Sequence, residues 1–258
     1  MAKCFVVIPA RGGSKGVIGK NLRKVRGKSL IVRSVIHAQE IVEGRNIVLS
    51  TDNHEIIREV AEVFKIEKYR LESNKLNEFG PFWLHFRDEL LSADETLITE
   101  VLLSIRDLLI ELKINFDLMC LLQPTSPFRN INELIKIKNF IQNEGSQITS
   151  MVSVRQVEDI HPARMYHRLK NGKLQPLQGF TEFRGARRQD LPEIYIRDGG
   201  FYLIGDELIS SRLQYSDSPI SFERVFPWTI NIDGPSDLLL AQVVASEELI
   251  LDPNEGLK

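Results

Sequence analysis

The sequence contains little cysteine and no excess of charge of one sign. Its two cysteines, Cys4 and Cys120, both lie inside apolar runs of the 258-residue chain. Two buried thiols are typical of a protein in a reducing compartment, and they are too few for a cysteine-based zinc site. The chain has 33 Lys and Arg residues against 35 Asp and Glu, a net charge of −2. Proteins that coat nucleic acids or bind anionic membranes need a strong positive field, so this balance argues against both classes.

Long apolar segments are also missing. No run approaches the roughly 20 residues that a membrane span requires. The first residues lack the basic segment, apolar stretch and small-residue cleavage site of a signal peptide. We therefore expect a cytoplasmic protein without a membrane or nucleic-acid partner. With 43% hydrophobic and 26% charged residues, the chain has the composition of a soluble globular protein with a real core.

Short apolar runs alternate with amphipathic segments along most of the chain. The apolar runs predict buried strands at 4–10, 46–50, 116–122, 148–154, 200–204 and 228–232. Helical spacing predicts helices at 30–41, 55–64 with Asn53 as the cap, 94–112, 131–141 and 235–249. This alternation favours a three-layer α/β/α, Rossmann-like architecture with a mostly parallel sheet.

Two segments interrupt the alternation. Residues 65–93 carry Gly80, Pro81 and several aromatic residues, and we expect them to form an excursion near the edge of the sheet where ligands bind. Residues 156–197 are basic, contain several prolines and show little periodicity, which predicts a protruding arm with an oligomer contact. The chain has no internal repeat or long linker. One domain over 1–258 with an inserted arm at 156–197 is therefore preferred over two independent domains.

The connection after the first strand is rich in glycine and basic residues. It contains four glycines together with Arg11, Lys15 and Lys20. Glycine lets the backbone approach a ligand closely, and cations neutralise phosphates, so the loop suits a nucleotide triphosphate. The spacing fits neither the Walker pattern GxxxxGK(S/T) nor the dinucleotide pattern GxGxxG. The alternative is a solvated basic turn, but ligands of open α/β sheets bind at this end of a strand.

Five motifs along the chain resemble, in the same order, those of the acylneuraminate cytidylyltransferases, the CMP-sialic acid synthetase family. The first covers the loop after the first strand, and the others follow later strands or the arm. They are 8–21, with its glycines and Lys15; Ser50-Thr51-Asp52; 121–129, nearly LLQPTSPLR; Arg188-Gln189-Asp190-Leu191-Pro192 followed by Gly199 and Tyr202; and Ile232-Asp233-(x)3-Asp237-Leu238. Several motifs in order are more specific than any one of them.

The resemblance implies a reaction in which the anomeric hydroxyl of a nine-carbon keto acid sugar attacks the α-phosphorus of CTP and releases pyrophosphate. It also implies Mg²⁺ or another divalent cation as cofactor. Arg11, Lys15, Lys20 and Asp233 would be the catalytic residues. The nucleotide would be bound by Arg11, Gly12, Gly13, Ser14, Lys15, Lys20, Asn21, Arg87 and Asp94. The segment that contains Arg87 and Asp94 matches the family imperfectly, and Asp94 has the alternative role of a helix cap.

The acidic sugar would contact residues of a later strand and of the arm. By the resemblance these are Gln123, Arg164, Arg188 and Tyr202. A guanidinium binds a carboxylate in bidentate fashion, which suits Arg188. The alternatives are a turn-stabilising amide for Gln123, and a solvated basic turn for Arg188 and its neighbours. His161 is more simply explained as a residue that packs a turn.

One departure from the family concerns its two closing acids. The family would have acids at 231 and 233, whereas this chain has Asn231 and Asp233. An amide oxygen is a weaker ligand than a carboxylate for a hard cation. Metal binding at Asp233, with Asn231 beside it, is expected. Asn231 also favours one rival, a non-catalytic nucleotide-binding homologue.

The family resemblance implies a homodimer whose arm completes the partner's sugar site. Another rival is a nucleotidyltransferase for a different sugar or alcohol phosphate. The sequence does not determine whether the acceptor is a sialic, legionaminic, pseudaminic or related acid.

Overall fold

A computed structural model describes residues 2–13, 16–157, 160–177, 187–225 and 228–246. Over these residues the strands are β1 Cys4–Pro9, β2 Lys24–Val25, β3 Lys28–Ser29, β4 Ile47–Thr51, β5 Leu76–Phe79, β6 Phe82–Phe86, β7 Leu118–Leu121, β8 Ser150–Gln156, β9 Tyr166–Arg168, β10 Leu174–Pro176, β11 Tyr195–Gly205 and β12 Ile220–Glu223. The helices are α1 Leu30–Ile41, α2 His54–Val63, α3 Glu89–Ser92, α4 Ile98–Glu111, α5 Ile131–Glu144, α6 Asp206–Ser210 and α7 Pro235–Ser246.

Eight of the strands form one sheet in the order β12-β8-β11-β7-β1-β4-β6-β5. β1 pairs in parallel with β4 and β7, β4 with β6, and β8 with β12. β11 is antiparallel to both of its neighbours, and β5 is antiparallel to β6. The predicted mostly parallel sheet is therefore confirmed, with β11 inserted in the opposite direction.

Helices cover both faces of this sheet. Along β1, Val6 and Ile8 join the core under α1, α2 and α5, whereas Phe5 and Val7 join the core under α4 and α6. Successive strand residues point to opposite faces, so a strand buried on both sides needs a continuous apolar run. The predicted three-layer α/β/α arrangement is confirmed. Among the described residues, none of the helices has the length and apolar character needed to cross a membrane.

Local capping signals set several helix starts. The Asn53 side chain accepts hydrogen bonds from the backbone N–H groups of Glu55 and Ile56, which confirms it as the cap of α2. Asn130 and Glu133 form a reciprocal capping box at the start of α5. α4 begins at Ile98 after Leu97, so the alternative role of Asp94 as its cap is wrong.

Residues 65–93 do not form an excursion beside the sheet. They contribute β5 and β6, which extend the sheet beyond β4, and Gly80 adopts the positive φ of 58° in the turn between them. The aromatic residues explain this difference, because Phe79 and Phe82 are fully buried against α2 and the segment that follows it.

The segment 228–232 is not a strand, contrary to the prediction. Ile230 and Ile232 are buried against Phe128 and α7, which accounts for the alternating pattern without any strand pairing. The short helix α6 and the edge strand β12 were not predicted.

The predicted arm leaves and re-enters the sheet at one edge. β8 ends at Gln156, which lies opposite Tyr195 at the start of β11. Between them, β9 and β10 form an exposed antiparallel ribbon. The first and last residues of the predicted arm, Gln156 and 195–197, thus belong to the paired strands β8 and β11. The oligomer contact of the arm stays a prediction.

Candidate functional site

The site lies where the connections from the sheet diverge. The chain leaves β1 toward β4 on one side, whereas β7 flanks β1 on the other. In open α/β sheets such a switch point forms a crevice at the carboxyl ends of the strands. A cavity of about 450 Å³ opens there. It is lined by Pro9, Arg11, Gly16, Lys20, Asn21, Arg87, Leu91, Ala93, Asp94, Thr96, Ile98, Val101, Gln123, Pro124, Thr125 and Asp233.

The loop after β1 is tied to its surroundings at several points. The Gly12 N–H donates to the Asp52 carboxylate at 2.7 Å, and the buried Asn21 amide donates to the Arg11 carbonyl at 2.9 Å. Lys20 Nζ donates to the Ile232 carbonyl at 2.8 Å. These contacts argue against the alternative of a solvated basic turn. Ser14 and Lys15 lie outside the described residues.

Arg11 and Asp94 meet at the cavity wall. Arg11 Nη1 donates to Asp94 Oδ1 at 2.8 Å, although the two residues are 83 positions apart. Both side chains are more than one-third exposed, so the pair itself adds little stability. Its consequence is positional, because it places the Arg11 cation at the opening of the cavity.

Arg87 lies deeper and is held on one edge of its guanidinium. Nε donates to the Ser50 hydroxyl at 2.9 Å, and Nη2 donates to the Ser50 carbonyl at 2.8 Å. Burial lowers the pKa of Arg87 to about 10, with the Asp52 charge opposing and the Arg11 charge adding to that effect. Arg87 therefore stays cationic at neutral pH, and the predicted grouping of Arg11, Lys20, Asn21, Arg87 and Asp94 around one cavity is present.

Gln123 follows β7 and lines the other side of the cavity. Gly199 lies beside it, in a backbone irregularity of β11 with φ of 71°. A Cβ at Gly199 would lie 3.6 Å from Gln123 Oε1 and 3.7 Å from Asn231 Nδ2. Both are ordinary van der Waals distances, so the positive φ rather than a lack of space favours glycine at this position.

The residues predicted to hold a metal are adjacent. Asn231 Nδ2 donates to Asp233 Oδ2 at 3.0 Å, and Lys20 Nζ lies 3.6 Å from Asp233 Oδ1. Asn231 Oδ1 is buried and has no hydrogen-bond partner among the described residues. Rotating this amide by half a turn would bring its oxygen beside the Asp233 carboxylate, a donor set that a hard cation accepts.

A nearby acid, Asp237, binds backbone N–H groups. Asp237 Oδ2 accepts from the N–H groups of Asp233 and Gly234 at 3.0 and 2.7 Å, and so it fixes the start of α7. The described part of the chain holds no cluster of three His, Cys, Asp or Glu side chains suited to a metal. A cation here would need oxygen atoms from its substrate or from water in addition to Asp233 and Asn231.

Sequence comparison agrees with this geometry. The sequence model of the cytidylyltransferase family matches residues 5–159, more than half of the chain. The chain belongs to the cytidylyltransferase family. As a nucleotidyltransferase it is an enzyme, and the resemblance found in its motifs is confirmed.

Several relatives of this cytidylyltransferase align with it over nearly its whole length. A pseudaminic acid cytidylyltransferase of Campylobacter jejuni subsp. jejuni serotype O:2 is 30% identical, over 94% of this chain and 96% of the relative. A CMP-N,N'-diacetyllegionaminic acid synthase of Legionella pneumophila is 26% identical, over 93% and 95%. The post-translational flagellin modification protein B of Campylobacter coli is 27% identical, over 96% and 97%.

A solved structure shows the same fold. A CMP:2-keto-3-deoxy-manno-octonic acid synthetase complexed with CTP superposes with a TM-score of 0.61, covering 96% of this chain and 100% of that one, at 15% identity. The cytidylyltransferase thus has the Rossmann-like nucleotidyltransferase fold that its sequence predicts.

Most of the residues predicted to bind the sugar lie farther apart in the structure than those predicted to bind the nucleotide. Tyr202 is mostly buried in the core under α4 and α6, stacks on Tyr215 at 6.5 Å between ring centroids, and has a pKa raised by burial. Arg164 ends a short 3-10 turn that His161 caps by accepting from the Ala163 N–H, which supports the packing role of that histidine. Arg188 begins another such turn, and its side chain lies outside the described residues. Neither Tyr202 nor Arg164 lines the cavity. The sugar contacts of all three residues stay predictions.

A buried hydrogen-bond network centred on Arg129 and Arg224 lies next to the site, and it was not predicted from the sequence. Arg224 donates to the carboxylates of Asp198 at 2.9 Å and Glu133 at 3.3 Å. Arg129 donates to the carbonyls of Gly200 and Gln123 at 2.7 and 2.9 Å, and burial lowers its pKa to about 9. Arg129 therefore fixes Gly200, the neighbour of Gly199, relative to Gln123. Arg129 is part of the third motif, but nothing local identifies its partners.

Proposed function

We propose that this cytidylyltransferase transfers CMP from CTP to the anomeric hydroxyl of a nonulosonic acid of the sialic type, with release of pyrophosphate. The observation that carries the proposal is the cavity itself. Its walls bring Arg11, Lys20 and Arg87 together at the end of β1 and place Gln123 across from them. Three cations suit a triphosphate, and a polar amide suits a sugar hydroxyl.

The relatives support the acceptor class. Two of those aligned along their whole length are named for pseudaminic acid and for N,N'-diacetyllegionaminic acid. An N-acylneuraminate cytidylyltransferase of Streptococcus agalactiae serotype V is 24% identical over 92% of this chain and 52% of that protein. All three names denote transfer to an acidic sugar of one chemical class, and we infer the same class here.

The chemistry follows from charge and position. The anomeric oxygen forms a bond to the α-phosphorus, the bond from that phosphorus to the β-phosphate bridging oxygen breaks, and the hydroxyl proton passes to solvent. Arg11, Lys20 and Arg87, with Lys15, would neutralise the charge that spreads over the phosphate oxygens, while the amides of 12–14 and Asn21 fix the nucleotide. Asp233 with Asn231 would hold Mg²⁺, which when bound would supply positive charge to the phosphates.

The remaining parts of the proposal concern the acceptor side. Arg188 and Arg164 would bind the sugar carboxylate, and Gln123 and Tyr202 would contact its hydroxyl groups. The arm of a second copy would complete this side of the site, so the enzyme would act as a homodimer in the cytoplasm.

Pyrophosphate release tests the activity. The protein is incubated with CTP, Mg²⁺ and, separately, N-acetylneuraminic, N,N'-diacetyllegionaminic and pseudaminic acids, with a glucose phosphate as the control acceptor. We expect release with at least one nonulosonic acid and none with the control. Release with the sugar phosphate alone would establish the rival nucleotidyltransferase instead, and no release with any acid refutes the proposal.

Asn231 favours a second candidate, a homologue that binds nucleotide without turnover. The variant Asn231→Asp restores the second carboxylate beside Asp233. Under the proposed function the natural protein turns over, and the variant binds Mg²⁺ more tightly, about tenfold. An inert natural protein whose Asn231→Asp variant gains turnover would establish the second candidate.

A further inference from the structure

A buried serine and histidine lie behind Arg87, on the side away from the cavity opening. Ser50 of β4 and His85 of β6 are direct partners on neighbouring parallel strands, and both are fully buried. Ser50 Oγ lies 3.0 Å from His85 Nδ1 and 2.9 Å from Arg87 Nε. The three side chains therefore form a continuous chain that ends at the cavity.

The guanidinium sets the direction of the first hydrogen bond in this chain. Arg87 is only a donor, so the Ser50 hydroxyl oxygen accepts from it. We assign the proton of this hydroxyl to His85 Nδ1, which lies at hydrogen-bond distance on its other side. The histidine then carries its hydrogen on Nε2, which lies 3.4 Å from the Ser104 hydroxyl. Burial and the neighbouring Arg87 charge lower the pKa of His85 to about 4, so the ring is neutral at neutral pH.

The carbonyl of Ser50 adds a second bond to the same arginine. Nε and Nη2 are both engaged by Ser50, one by its hydroxyl and one by its backbone. Two bonds along one edge fix the plane of a guanidinium, whereas one bond leaves it free to turn. A ligand in the cavity consequently meets the opposite edge of Arg87 in one orientation.

We propose that Ser50 and His85 are positioning residues that orient Arg87 for the nucleotide. The inference rests on the proposed function, since it requires CTP in the cavity. Ser50 acts on Arg87 directly, and His85 acts through Ser50 by taking the hydroxyl proton. Ser104 completes the chain as the neighbour of His85 Nε2.

Affinity for CTP, measured by calorimetric titration with Mg²⁺, separates this role from turnover. Ser50→Ala removes the acceptor, and His85→Leu removes the ring acceptor while keeping similar volume. His85→Asn keeps an oxygen near the position of Nδ1. The matched control is Val48→Ala, which shortens a fully buried side chain of the same strand, β4, without touching Arg87.

We expect Ser50→Ala and His85→Leu to bind CTP about tenfold more weakly, the effect of one lost hydrogen bond to a charged group. The affinity of His85→Asn for CTP stays within about threefold of that of the natural protein. Val48→Ala lowers the melting temperature but keeps natural affinity. In an Arg87→Lys background, Ser50→Ala has no additional effect on affinity, because both changes act through one side chain.

A second measurement is independent of any ligand. The Nε–H of Arg87, followed by ¹⁵N-resolved NMR, should exchange slowly in the natural protein and faster in Ser50→Ala. If Ser50→Ala does not fold, Ser50→Cys, with a weaker acceptor of similar size, takes its place.

The outcomes separate the inference from the proposed function. A natural protein that does not bind CTP refutes the proposed function. Natural affinity in both Ser50→Ala and His85→Leu refutes the positioning role alone. Natural affinity in His85→Leu beside weakened binding in Ser50→Ala shows that His85 only fills space, and it refutes the part of the inference that concerns His85. Equal weakening in His85→Asn and His85→Leu refutes the acceptor role of the ring, because the asparagine oxygen then replaces nothing.

Discussion

Gly16 lies directly against the backbone of Asp233, where the loop after β1 meets the segment that leads into α7. A Cβ added at Gly16 would lie 2.1 Å from the Asp233 carbonyl oxygen, whereas real Cβ contacts start at 3.0 Å. The variant Gly16→Ala therefore forces a separation of at least 0.9 Å between two backbone segments, and no side-chain rotation relieves it. We expect this variant to lose activity while it stays folded.

The magnitude follows from the contacts that the separation breaks. Lys20 Nζ reaches the Ile232 carbonyl at 2.8 Å and Asp233 Oδ1 at 3.6 Å. Moving the segments apart by 0.9 Å takes the first distance beyond hydrogen-bond range and the second beyond ion-pair range. A displacement of about 1 Å between groups that act on one substrate lowers the rate by about 10²-fold, and we expect a loss of that size in kcat/KM for CTP.

Pyrophosphate release and thermal unfolding are measured together on Gly16→Ala and on Gly44→Ala. Gly44 precedes β4 at the opposite edge of the sheet, and a Cβ there would lie 2.8 Å from the Pro81 carbonyl oxygen. This control introduces a smaller clash of the same kind, also against a backbone carbonyl oxygen and far from the cavity. It should lower the melting temperature and leave kcat/KM within about twofold. A folded Gly16→Ala enzyme with kcat/KM within threefold of the natural value refutes the reasoning.

Replacing the buried Arg224 by Leu leaves two carboxylates unpaired and should lower the free energy of unfolding in urea by about 3–5 kcal/mol; a loss below about 1 kcal/mol contradicts this. Since the folded pKa of His85 is about 4 against an ordinary 6.5, the unfolded chain binds a proton between these values that the folded chain does not. Acidification from pH 7 to 5 should therefore remove about 2 kcal/mol more stability from the natural protein than from His85→Asn, and equal losses would exclude the effect. Burial raises the pKa of Cys120 to about 12 and that of Cys4 well above its ordinary value, so a thiol reagent at pH 8 should label neither cysteine until the protein unfolds; stoichiometric labelling of the native protein would contradict their burial.

Features with a local cause could be predicted from the sequence. Helix α1 has the limits that its apolar spacing predicts, and Asn53 caps α2, because spacing and caps act within a few residues. The grouping of the residues predicted to bind the nucleotide could be predicted in the same way, while their roles stay predictions. Arg11, Lys20 and Asn21 lie in one short loop, and loops that follow parallel strands meet at one edge of the sheet.

Features that depend on distant parts of the chain could not be predicted. Nothing within 76–86 indicates that β6 pairs with β4, because that pairing depends on residues 35 positions away. The partners of Arg224 are Asp198 and Glu133, which are 26 and 91 positions distant. The prediction of a strand at 228–232 was wrong for a related reason. Alternating burial arises wherever an extended segment packs on a helix, with or without a partner strand.

The antiparallel direction of β11 has a consequence for how the enzyme can vary. Because β11 returns opposite to β8, Tyr195 lies across from Gln156 at the carboxyl edge of the sheet. The two ends of the intervening segment are thus held as neighbours, whatever its length or sequence. We expect such a segment to be exchangeable, because the strands that hold its two ends and the loop after β1 lie outside it. Under the proposed function, in which this segment contacts the sugar, grafting the corresponding segment from a relative with another acid should change the acceptor that is used while the affinity for CTP stays the same.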